Sequence, residues 1–339
     1  MFFISRNYKA QASAAGKAKI DCEKVMEQSG FKNLGLERTT TPSSLKGFFL
    51  TLAGVILGLL RLPTGSTLVL QYPTKKYYNL MLSVARLKKC KVITIIHDLR
   101  SHRKQKMDIS NEMSLLNKND VIISHNVKMS AWLRENGLTC KLVELEIFDY
   151  FNDSEKTENT PSTPGYNIIF AGQLDQRKNG FLYAIDTLTD ISFGFNLYGP
   201  GFDGSALPQS TVVDYKGVFP ATEIVSRIEG EFGLVWDGIS LEECAGSFGE
   251  YLKINNPHKT SMYLRAGIPV IIWDQAAMAK YVLDNNAGLA VASLADINAA
   301  LAKLSDKDYA TMKVNAEAIA EKLGGGFYLK TALEKAITL

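Results

Sequence analysis

At 339 residues, the chain exceeds the size at which a single hydrophobic core usually stops growing, so we expect two domains. Its 46% hydrophobic and 22% charged residues match the averages of globular proteins, and a net charge of +3 is too small to argue for nucleic-acid binding. The four cysteines are widely scattered without CxxC spacing, which speaks against a zinc site or a disulfide framework and favours a reducing cytoplasm.

The first half of the chain alternates short apolar strands with helical stretches, the pattern of an α/β protein. It opens on a strand at residues 2–5 rather than on a secretory signal, since Arg6 and Lys9 end the apolar run. The apolarity of the strands is continuous, which indicates a parallel sheet covered on both faces. The other elements predicted here are strands at 67–72, 92–96 and 121–124 and helices at 18–28, 77–87 and 127–136.

Residues 47–60, GFFLTLAGVILGLL, form an apolar stretch flanked by Lys46 and Arg61 that is too short to span a bilayer. Both a buried core helix and a helix lying in a membrane interface fit it. A basic segment follows, and either anionic lipid, a lipid-linked pyrophosphate or a merely solvated face would explain it. Its cations are Arg86, Lys88, Lys89, Lys91, Arg100, Arg103, Lys104 and Lys106.

Polar and proline residues at 153–164 break this pattern and predict a linker. A second α/β run follows it, so two Rossmann-like halves facing a cleft are the economical architecture. The strands predicted in this run cover 167–171, 194–198, 212–215, 232–236 and 268–273, and the helices cover 181–187, 221–228, 278–285, 297–304, 309–323 and 328–337.

The most informative segment is YLKINNPHKTSMYLRAGIPVII, residues 251–272. Asn256 suits a helix N-cap, Pro257 suits the first helical position, and a glycine ends the helix before an apolar strand. His258 and Lys259 then face the positive end of the helix dipole, a conflict that a bound diphosphate would resolve. Hydroxyls from the next two residues could contribute to such a site, although a surface helix with incidental charge is the alternative.

Two further motifs follow strands of the second half. Arg177 and Lys178 lie in a short polar loop, where fixed cations could neutralise a diphosphate. Gly199, Gly201 and Gly204 spell GxGxxG, but no helix opens at the last glycine, so the dinucleotide-binding fingerprint is rejected. These glycines more plausibly let the backbone approach a nucleoside, and a plain turn is the alternative.

With these residues in view, the second half resembles the nucleotide-binding domain of GT-B glycosyltransferases. The likeness rests on IIFAGQLDQRKN, FNLYGPG, VDYKGVFPATEIVSRI and NNPHKTSMYLRAGIPVII, which occur in the order of that family's motifs. Together with SRNY, GKAK, LVLQYPT and TIIHDLRSHR in the first half, the chain resembles the galactofuranosyltransferase-like and adhesin glucosyltransferase enzymes of bacteria.

This resemblance implies an acceptor-binding domain at 1–152, a nucleotide-sugar-binding domain at 165–326 and a C-terminal helix at 327–339 that could pack back on the first domain. It implies transfer of a hexose, galactofuranose or glucose, from a UDP-sugar to a surface glycan or glycoprotein, with no cofactor and no metal. The implied donor-binding residues are Gly172, Arg177, Lys178, Tyr198, Gly199, Lys253, Asn256, His258, Lys259, Thr260 and Ser261.

One departure from the family pattern concerns the stereochemistry of transfer. Many retaining members carry two glutamates eight positions apart, and aligning AGIPV places Ile254 and Met262 at those positions. Both are apolar, which favours an inverting enzyme. An inverting transfer needs a general base on the acceptor hydroxyl, and Asp98, with His97 second, follows a strand where an open α/β sheet binds its ligands. A helix-capping role for the aspartate is the alternative.

Acceptor binding is expected from Arg6 and Asn7, after the first strand, and from Gly16 and Lys17, in a loop over the acceptor. The acceptor could be a glycan, a glycolipid or a glycoprotein. We expect a cytoplasmic enzyme without nucleic-acid partners; peripheral contact with the inner face of the plasma membrane and self-association stay open. Two rivals share the fold, a nucleotide-sugar 2-epimerase and an inactive glycosyltransferase-like partner subunit.

Overall fold

The computed structural model of the protein describes residues 1–8, 14–74, 77–103, 107–152, 165–189, 191–207 and 210–339. These residues form two compact units, the first made of Met1–Asp149 with Gly326–Leu339 and the second of Tyr150–Gly325. The predicted linker at 153–164 lies outside the described residues, as do Lys104 and Lys106 of the basic segment.

The first unit is built on a six-stranded parallel sheet, and its central strands are mostly buried because each contains a run of apolar residues. Its strands are β1 (Phe2–Phe3), β2 (Asn7–Tyr8), β3 (Lys32–Asn33), β4 (Thr39–Thr40), β5 (Thr67–Tyr72), β6 (Lys91–Ile96), β7 (Val121–Ser124) and β8 (Lys141–Glu144). Its helices up to residue 149 are α1 (Ala14–Gln28), α2 (Ser44–Arg61), α3 (Tyr78–Leu87), α4 (Arg100–Arg103), α5 (Ile109–Leu116) and α6 (Val127–Glu135).

The strand order of this sheet is β3-β1-β5-β6-β7-β8, and β2 pairs separately with β4. The order reverses between β1 and β5. From β1 the chain adds β3 on one side of the sheet, and it then adds β5, β6, β7 and β8 on the other side. Ligands of open parallel sheets bind at such a switch point, outside the carboxyl ends of the strands.

The second unit has a six-stranded parallel sheet of its own, in which the order is β11-β10-β9-β12-β13-β14 and the switch point lies between β9 and β12. Its strands are β9 (Tyr166–Ala171), β10 (Phe193–Tyr198), β11 (Val213–Gly217), β12 (Phe232–Val235), β13 (Val270–Trp273) and β14 (Gly288–Val291). Its helices are α7 (Gln176–Asn179), α8 (Ile224–Arg227), α9 (Gly246–Leu252), α10 (His258–Arg265), α11 (Ala279–Asp284), α12 (Ile297–Ala302) and α13 (Asp306–Gly324).

The last helix, α14 (Phe327–Thr338), returns to the first unit and packs against α1, β7 and β8. The turn that precedes it needs Gly326, whose φ of 71° lies in the left-handed region. The buried Asp149 carboxylate then accepts the backbone N–H groups of Tyr328 (3.1 Å) and Leu329 (2.8 Å), which caps the start of α14.

Four local predictions are wrong. Residues 181–187 form two short 3-10 turns instead of a helix, and only Ile224–Arg227 of the predicted helix at 221–228 is helical. The residue that caps α10 is Pro257, so Asn256 is not the N-cap. Complete burial of the apolar stretch 47–60 is also wrong, because α2 keeps one broad face exposed.

Candidate functional site

The switch point of the second unit is where the sequence predictions converge. Gly172 follows the end of β9 and Asp237 lies two residues beyond the end of β12, so the two strand ends bracket this point. Helix α10 is fixed against both strands through Tyr263, whose hydroxyl accepts the backbone N–H of Ala171 at 2.8 Å. The Tyr263 ring occupies space that a side chain at Gly233 would fill, since a Cβ there would lie 2.1 Å from the ring.

This docking brings Lys259, in the first turn of α10, to the switch point. Its Nζ donates to Asp237 Oδ1 at 3.1 Å and to the carbonyl oxygen of Trp236 at 3.2 Å, and it lies 4.0 Å from the centre of the Phe170 ring. Burial lowers the pKa of Lys259, an effect that the neighbouring Asp237 carboxylate partly opposes. The lysine is therefore held in a partly desolvated position by one carboxylate.

A second cation shares that carboxylate. Lys178 Nζ lies 4.0 Å from Asp237 Oδ1, so two ammonium groups surround one carboxylate and leave a net positive charge. Lys178 belongs to α7, which Asp175 caps by accepting the Lys178 N–H. Arg177, the other predicted cation of this turn, is exposed, and no ion pair involving it occurs among the described residues. An anion at this switch point would complete the charge balance.

The predicted hydroxyl ligands of α10 are buried. Thr260 and Ser261 are 0% and 1% exposed, and their side-chain oxygens have no hydrogen-bond partner within the described residues. A buried hydroxyl without a partner costs about 1–3 kcal/mol, so these two oxygens are unusual. Because both lie beneath the surface in this conformation, the accessible part of the site consists of the two lysines.

The remaining residues predicted in and before α10 are placed differently. His258 packs its ring 5.0 Å from that of Tyr150. Asn256 is buried. Lys253 forms an ion pair with Glu250 at 2.8 Å, away from the Asp237 carboxylate that holds the other two lysines.

Glycine is required where β9 and β10 end. Gly199 has a φ of 134°, and a Cβ there would lie 1.8 Å from the carbonyl oxygen of Gly172. The two strand ends can approach this closely only without a side chain at position 199, which is why glycine is needed there. Tyr198, predicted to contact the donor, instead has a buried ring, and its hydroxyl accepts the Glu229 N–H at 3.0 Å.

The first unit has a pocket at its own switch point between β1 and β5. Its polar lining includes a buried carboxylate, Glu23, which accepts hydrogen bonds from Ser5 (2.7 Å) and from the Tyr8 hydroxyl (2.5 Å). Burial raises the pKa of Glu23. Arg6, predicted to bind the acceptor, lines this pocket with its guanidinium 5.4 Å from the Tyr8 ring.

The other residues predicted to bind the acceptor make contacts within the first unit. Gly16 and Lys17 belong to helix α1, so the predicted loop there is wrong. Lys17 is buried and pairs with Asp21 one helical turn later. Asn7 joins β2 to β4, since its Oδ1 accepts the Thr39 hydroxyl at 2.9 Å and the backbone N–H of residue 41 at 3.1 Å.

His97 and Asp98 follow β6, and the polar contacts of His97 define its protonation. Gln71 donates from Nε2 to the carbonyl oxygen of Lys19 at 3.3 Å, which directs its Oε1 to His97 Nε2 at 2.7 Å. Since an amide oxygen only accepts, His97 Nε2 carries a proton. That nitrogen cannot remove a proton from a substrate, and the ring is stacked on Phe148 at 5.4 Å.

The turn that carries Asp98 is fixed by a buried glutamate. Glu112 accepts the backbone N–H groups of Arg100 and Ser101, both at 2.8 Å, and the Tyr72 hydroxyl at 2.5 Å. A carboxylate with three donors holds the start of α4 and therefore the backbone just after Asp98. Asp98 itself is half-buried between β6 and α4.

Two protein-family models match the sequence of this chain. The model for the N-terminal domain of glucosyltransferase 3-like proteins matches residues 1–147, and the model for their C-terminal domain matches residues 168–336. The chain belongs to the glucosyltransferase 3-like family. The predicted enzyme class is thus confirmed: the protein is a glycosyltransferase of hexoses.

Two bacterial glycosyltransferases are similar to this chain in sequence. It is 28% identical to the β-1,6-galactofuranosyltransferase WbbI of Escherichia coli, over 99% of this chain and 98% of that protein. It is 24% identical to glucosyltransferase 3 of Streptococcus gordonii, over 80% of this chain and 79% of that protein. These matches confirm the resemblance to the galactofuranosyltransferase-like subgroup.

A solved structure supports the fold class. The apo form of the lipopolysaccharide outer core galactosyltransferase WaaB superimposes with a TM-score of 0.60, at 12% identity, over 99% of this chain and 98% of that one. The prediction of two Rossmann-like α/β domains of the GT-B class is confirmed by this superposition and by the two parallel sheets.

Proposed function

We propose that the protein transfers galactofuranose or glucose from a UDP-sugar to a bacterial surface glycan or glycoprotein, with inversion at the anomeric carbon and without a metal ion or another cofactor. The sugar choice is supported by the activities named for the two sequence relatives, a galactofuranosyltransferase and a glucosyltransferase. The observation that carries the proposal is the pair Lys178 and Lys259 around one carboxylate at the second unit's switch point.

The donor diphosphate would supply the additional negative charge that balances these two lysines. When the bond between the anomeric carbon and the diphosphate oxygen breaks, negative charge accumulates on the departing UDP. Preorganised ammonium groups next to that oxygen stabilise the charge, which is the contribution that a metal ion makes in other enzymes. Gly172, which is partly exposed beside Lys259, would lie next to the bound nucleotide.

Inversion is supported by what surrounds α10. Ile254 and Met262 occupy the positions of the glutamate pair of retaining relatives, and both are buried apolar side chains. In a single inverting displacement, the acceptor hydroxyl oxygen attacks the anomeric carbon, UDP departs, and the hydroxyl proton passes to a base. Asp98 is the proposed base, since it follows β6 at the carboxyl end of the parallel sheet.

The acceptor would bind to the first unit at its switch-point pocket. Arg6 and Gln71 present polar groups there, and Thr74 adds a hydroxyl. Hydroxyl-rich acceptors such as glycans are recognised by hydrogen bonds of this kind, and the sugar could be part of a glycan, a glycolipid or a glycoprotein. We place the reaction in the cytoplasm.

A panel of nucleotide sugars tests this proposal. UDP-galactofuranose and UDP-glucose should each be compared with UDP-galactopyranose and with UDP-N-acetylglucosamine, with and without glycan acceptors. We expect acceptor-dependent release of UDP from one of the first two donors and a product of inverted anomeric configuration by NMR. Release of UDP with an epimerised free sugar and no acceptor would instead identify an epimerase, and the absence of binding to every donor would indicate an inactive partner subunit.

A further inference from the structure

Helix α2 turns three glycines together with Val55 and Leu59 inward, and most of its other large apolar side chains point outward. Its buried residues include Gly47, Gly54 and Gly58. A Cβ at Gly58 would lie 2.8 Å from the Ile4 side chain, and one at Gly47 would lie 2.6 Å from the Asn7 amide. The glycines therefore let the helix backbone approach the first unit closely, and Val55 and Leu59 are the large apolar side chains of α2 that this contact buries.

Those bulky side chains are exposed. Leu45, Phe49, Ile56 and Leu60 are 69%, 57%, 47% and 74% exposed, and their spacing places them on one face of the helix. A helix that packs in a protein core buries such residues and exposes small or polar ones. We call these four residues, with Phe48 at 36% exposure, the apolar face of α2.

The neighbouring helix α3 extends this surface. Phe48 contacts Tyr77, immediately before α3, with ring centres 6.2 Å apart. At the other end, Lys88, just after α3, donates from Nζ to the carbonyl oxygens of Leu59 and Leu62, both at 2.8 Å. The two helices thus run side by side, and α3 adds Leu80 (44% exposed) and Leu87 (83% exposed). Exposed apolar surface on two adjacent helices is uncommon in proteins that do not use it.

The charges along the segment that contains α2 and α3 have one sign. From residue 39 to residue 97, the chain contains no aspartate or glutamate. The same span contains eight lysines and arginines, of which Lys46 and Arg61 bracket the apolar face of α2 and both are exposed. Lys89 is exposed beside the C-terminal end of α3. A partner that matches this surface is apolar inside and anionic at its edge.

We infer that the apolar face of α2 docks the protein onto the surface of an anionic lipid bilayer, with the helix lying in the interface and its flanking cations at the headgroups. An interfacial helix buries an apolar face at the boundary between headgroups and acyl chains. Basic residues beside that face add attraction to anionic headgroups. The inference concerns where the enzyme works and does not depend on which sugar it transfers.

The charge pattern decides between a membrane and a second copy of the chain. A twofold dimer brings the same patch of both copies together, so each charge meets the symmetry-related patch. The cations that flank the apolar face of α2 have no carboxylates in the same segment of the chain. If the apolar faces of two copies paired, like charges would therefore lie opposite each other, which is unfavourable. A bilayer that contains anionic lipid supplies the opposite charge and the apolar interior at once.

Vesicle flotation with the full chain tests the inference. The protein is mixed with phosphatidylcholine vesicles with or without about 30 mol% phosphatidylglycerol, at low and high salt. We expect flotation with the anionic vesicles that falls as salt rises. The double variant Phe49→Gln/Leu60→Gln should weaken binding at least about tenfold, because it removes two of the side chains that enter the bilayer interface.

Two controls separate this role from folding and self-association. Leu283→Gln/Val314→Gln alters equally exposed apolar residues of the second unit and should bind vesicles like the unaltered chain. Lys46→Gln/Arg61→Gln should lose the preference for anionic vesicles. The inference is overturned if the unaltered chain stays in solution with anionic vesicles at low salt. It is equally overturned if light scattering shows an oligomer that Phe49→Gln/Leu60→Gln converts to monomer, because the face would then be an interface between copies.

Discussion

Lys259 combines burial, a positive charge and only one carboxylate partner, which it shares with Lys178. A lysine placed for stability alone gains little from such an arrangement, because desolvation of the ammonium group offsets the attraction to Asp237. A lysine that awaits an anion gains more, because the ligand supplies the second negative charge. The residue is therefore better explained as part of a diphosphate site than as a stabilising ion pair.

We predict that Lys259→Met weakens UDP binding at least about tenfold, since hydrogen bonds to charged groups are worth about 1.5–3 kcal/mol. Methionine is a suitable replacement because its unbranched side chain can keep the packing against Phe170. Isothermal calorimetry measures the effect. The matched control is Lys280→Met, which removes a lysine from a surface ion pair with Asp284 and should leave UDP binding unchanged.

Loss of Lys259 also leaves the Asp237 carboxylate with Lys178 alone, so the variant must be checked for stability. If it melts early, Lys259→Met/Asp237→Asn removes the uncompensated charge and keeps the binding measurement interpretable. Equal UDP affinity in the folded variant and the unaltered chain would rule out the diphosphate role. Arg177→Met should be measured alongside, because this exposed side chain was also predicted to bind the diphosphate.

The catalytic roles of Asp98 and His97 can be distinguished by substituting each residue separately. Asp98→Asn keeps the shape of the side chain but removes its basicity, so we predict a fall in turnover of about a hundredfold or more with donor affinity preserved. His97→Gln should lower turnover less, since the proposed base is Asp98 and the Nε2 of His97 is engaged in a hydrogen bond with Gln71. Steady-state kinetics with a saturating donor provides both values. Near full turnover in Asp98→Asn together with a collapse in His97→Gln would exchange the two roles.

Among the elements, the central strands were the most predictable. The limits predicted for β5 and β7 agree with the structure, because each strand contains a run of at least three buried apolar residues. Strands at the sheet edges, β8 and β14, were missed. β8 carries Lys141 and Glu144 at its ends, so it lacks the apolar run that identifies an inner strand.

Helices were less predictable where tertiary contacts replace helical hydrogen bonds. In the stretch after α7, Tyr183 donates its hydroxyl proton to the carbonyl oxygen of Leu174 at 2.8 Å, and the backbone forms two separate 3-10 turns. Helix α2 shows a different limit. Its apolar composition predicted a helix, but which face is buried depends on the close approach that its glycines allow, and composition does not contain that information.

The same distinction applies to the site. His97, Asp98, Gly172 and Lys178 could be identified because they follow predicted strands, and the ends of parallel strands meet ligands. Asp237 also follows a strand and was missed because nothing nearby in the sequence marks it as the partner of Lys259. Gln71 contacts His97 across 26 positions of the sequence. Glu112 contacts Arg100 and Ser101, in the turn after Asp98, across 12 and 11 positions. Such pairings are set by the folded chain and not by local patterns.

At the scale of the whole molecule, the chain passes between its two units twice, after Asp149 and again before Gly326. Asp149 is placed at both passages, because it ends the first stretch of unit one and caps the helix α14 that follows the return. Asp149 is therefore the buried carboxyl group that joins the two parts of the first unit. Its protonation should affect the stability of the unit as a whole.

Burial raises the pKa of Asp149 to about 7, whereas an aspartate in an unfolded chain titrates near 3.9. The folded protein thus binds this proton more tightly than the unfolded chain, and stability falls as pH rises from about 4 to about 7 and then levels off. With about 1.4 kcal/mol for each pKa unit, the two pKa values correspond to at most about 4 kcal/mol. Glu23, whose pKa burial also raises, contributes in the same direction.

We predict that Asp149→Asn, which cannot ionise, reduces this pH dependence. Thermal melting between pH 5 and pH 8 should show the unaltered chain losing several degrees more than the variant, because about 1 kcal/mol shifts the melting temperature of a domain this size by about 2–4 °C. The difference between the two chains isolates Asp149, since Glu23 titrates in both. The variant is also expected to melt lower at pH 5, because an asparagine can accept only one of the two N–H groups at the start of α14 while its own amide needs an acceptor. Parallel melting curves across the whole pH range would show that Asp149 is ionised in the folded protein and that the two N–H groups of α14 fully compensate its burial.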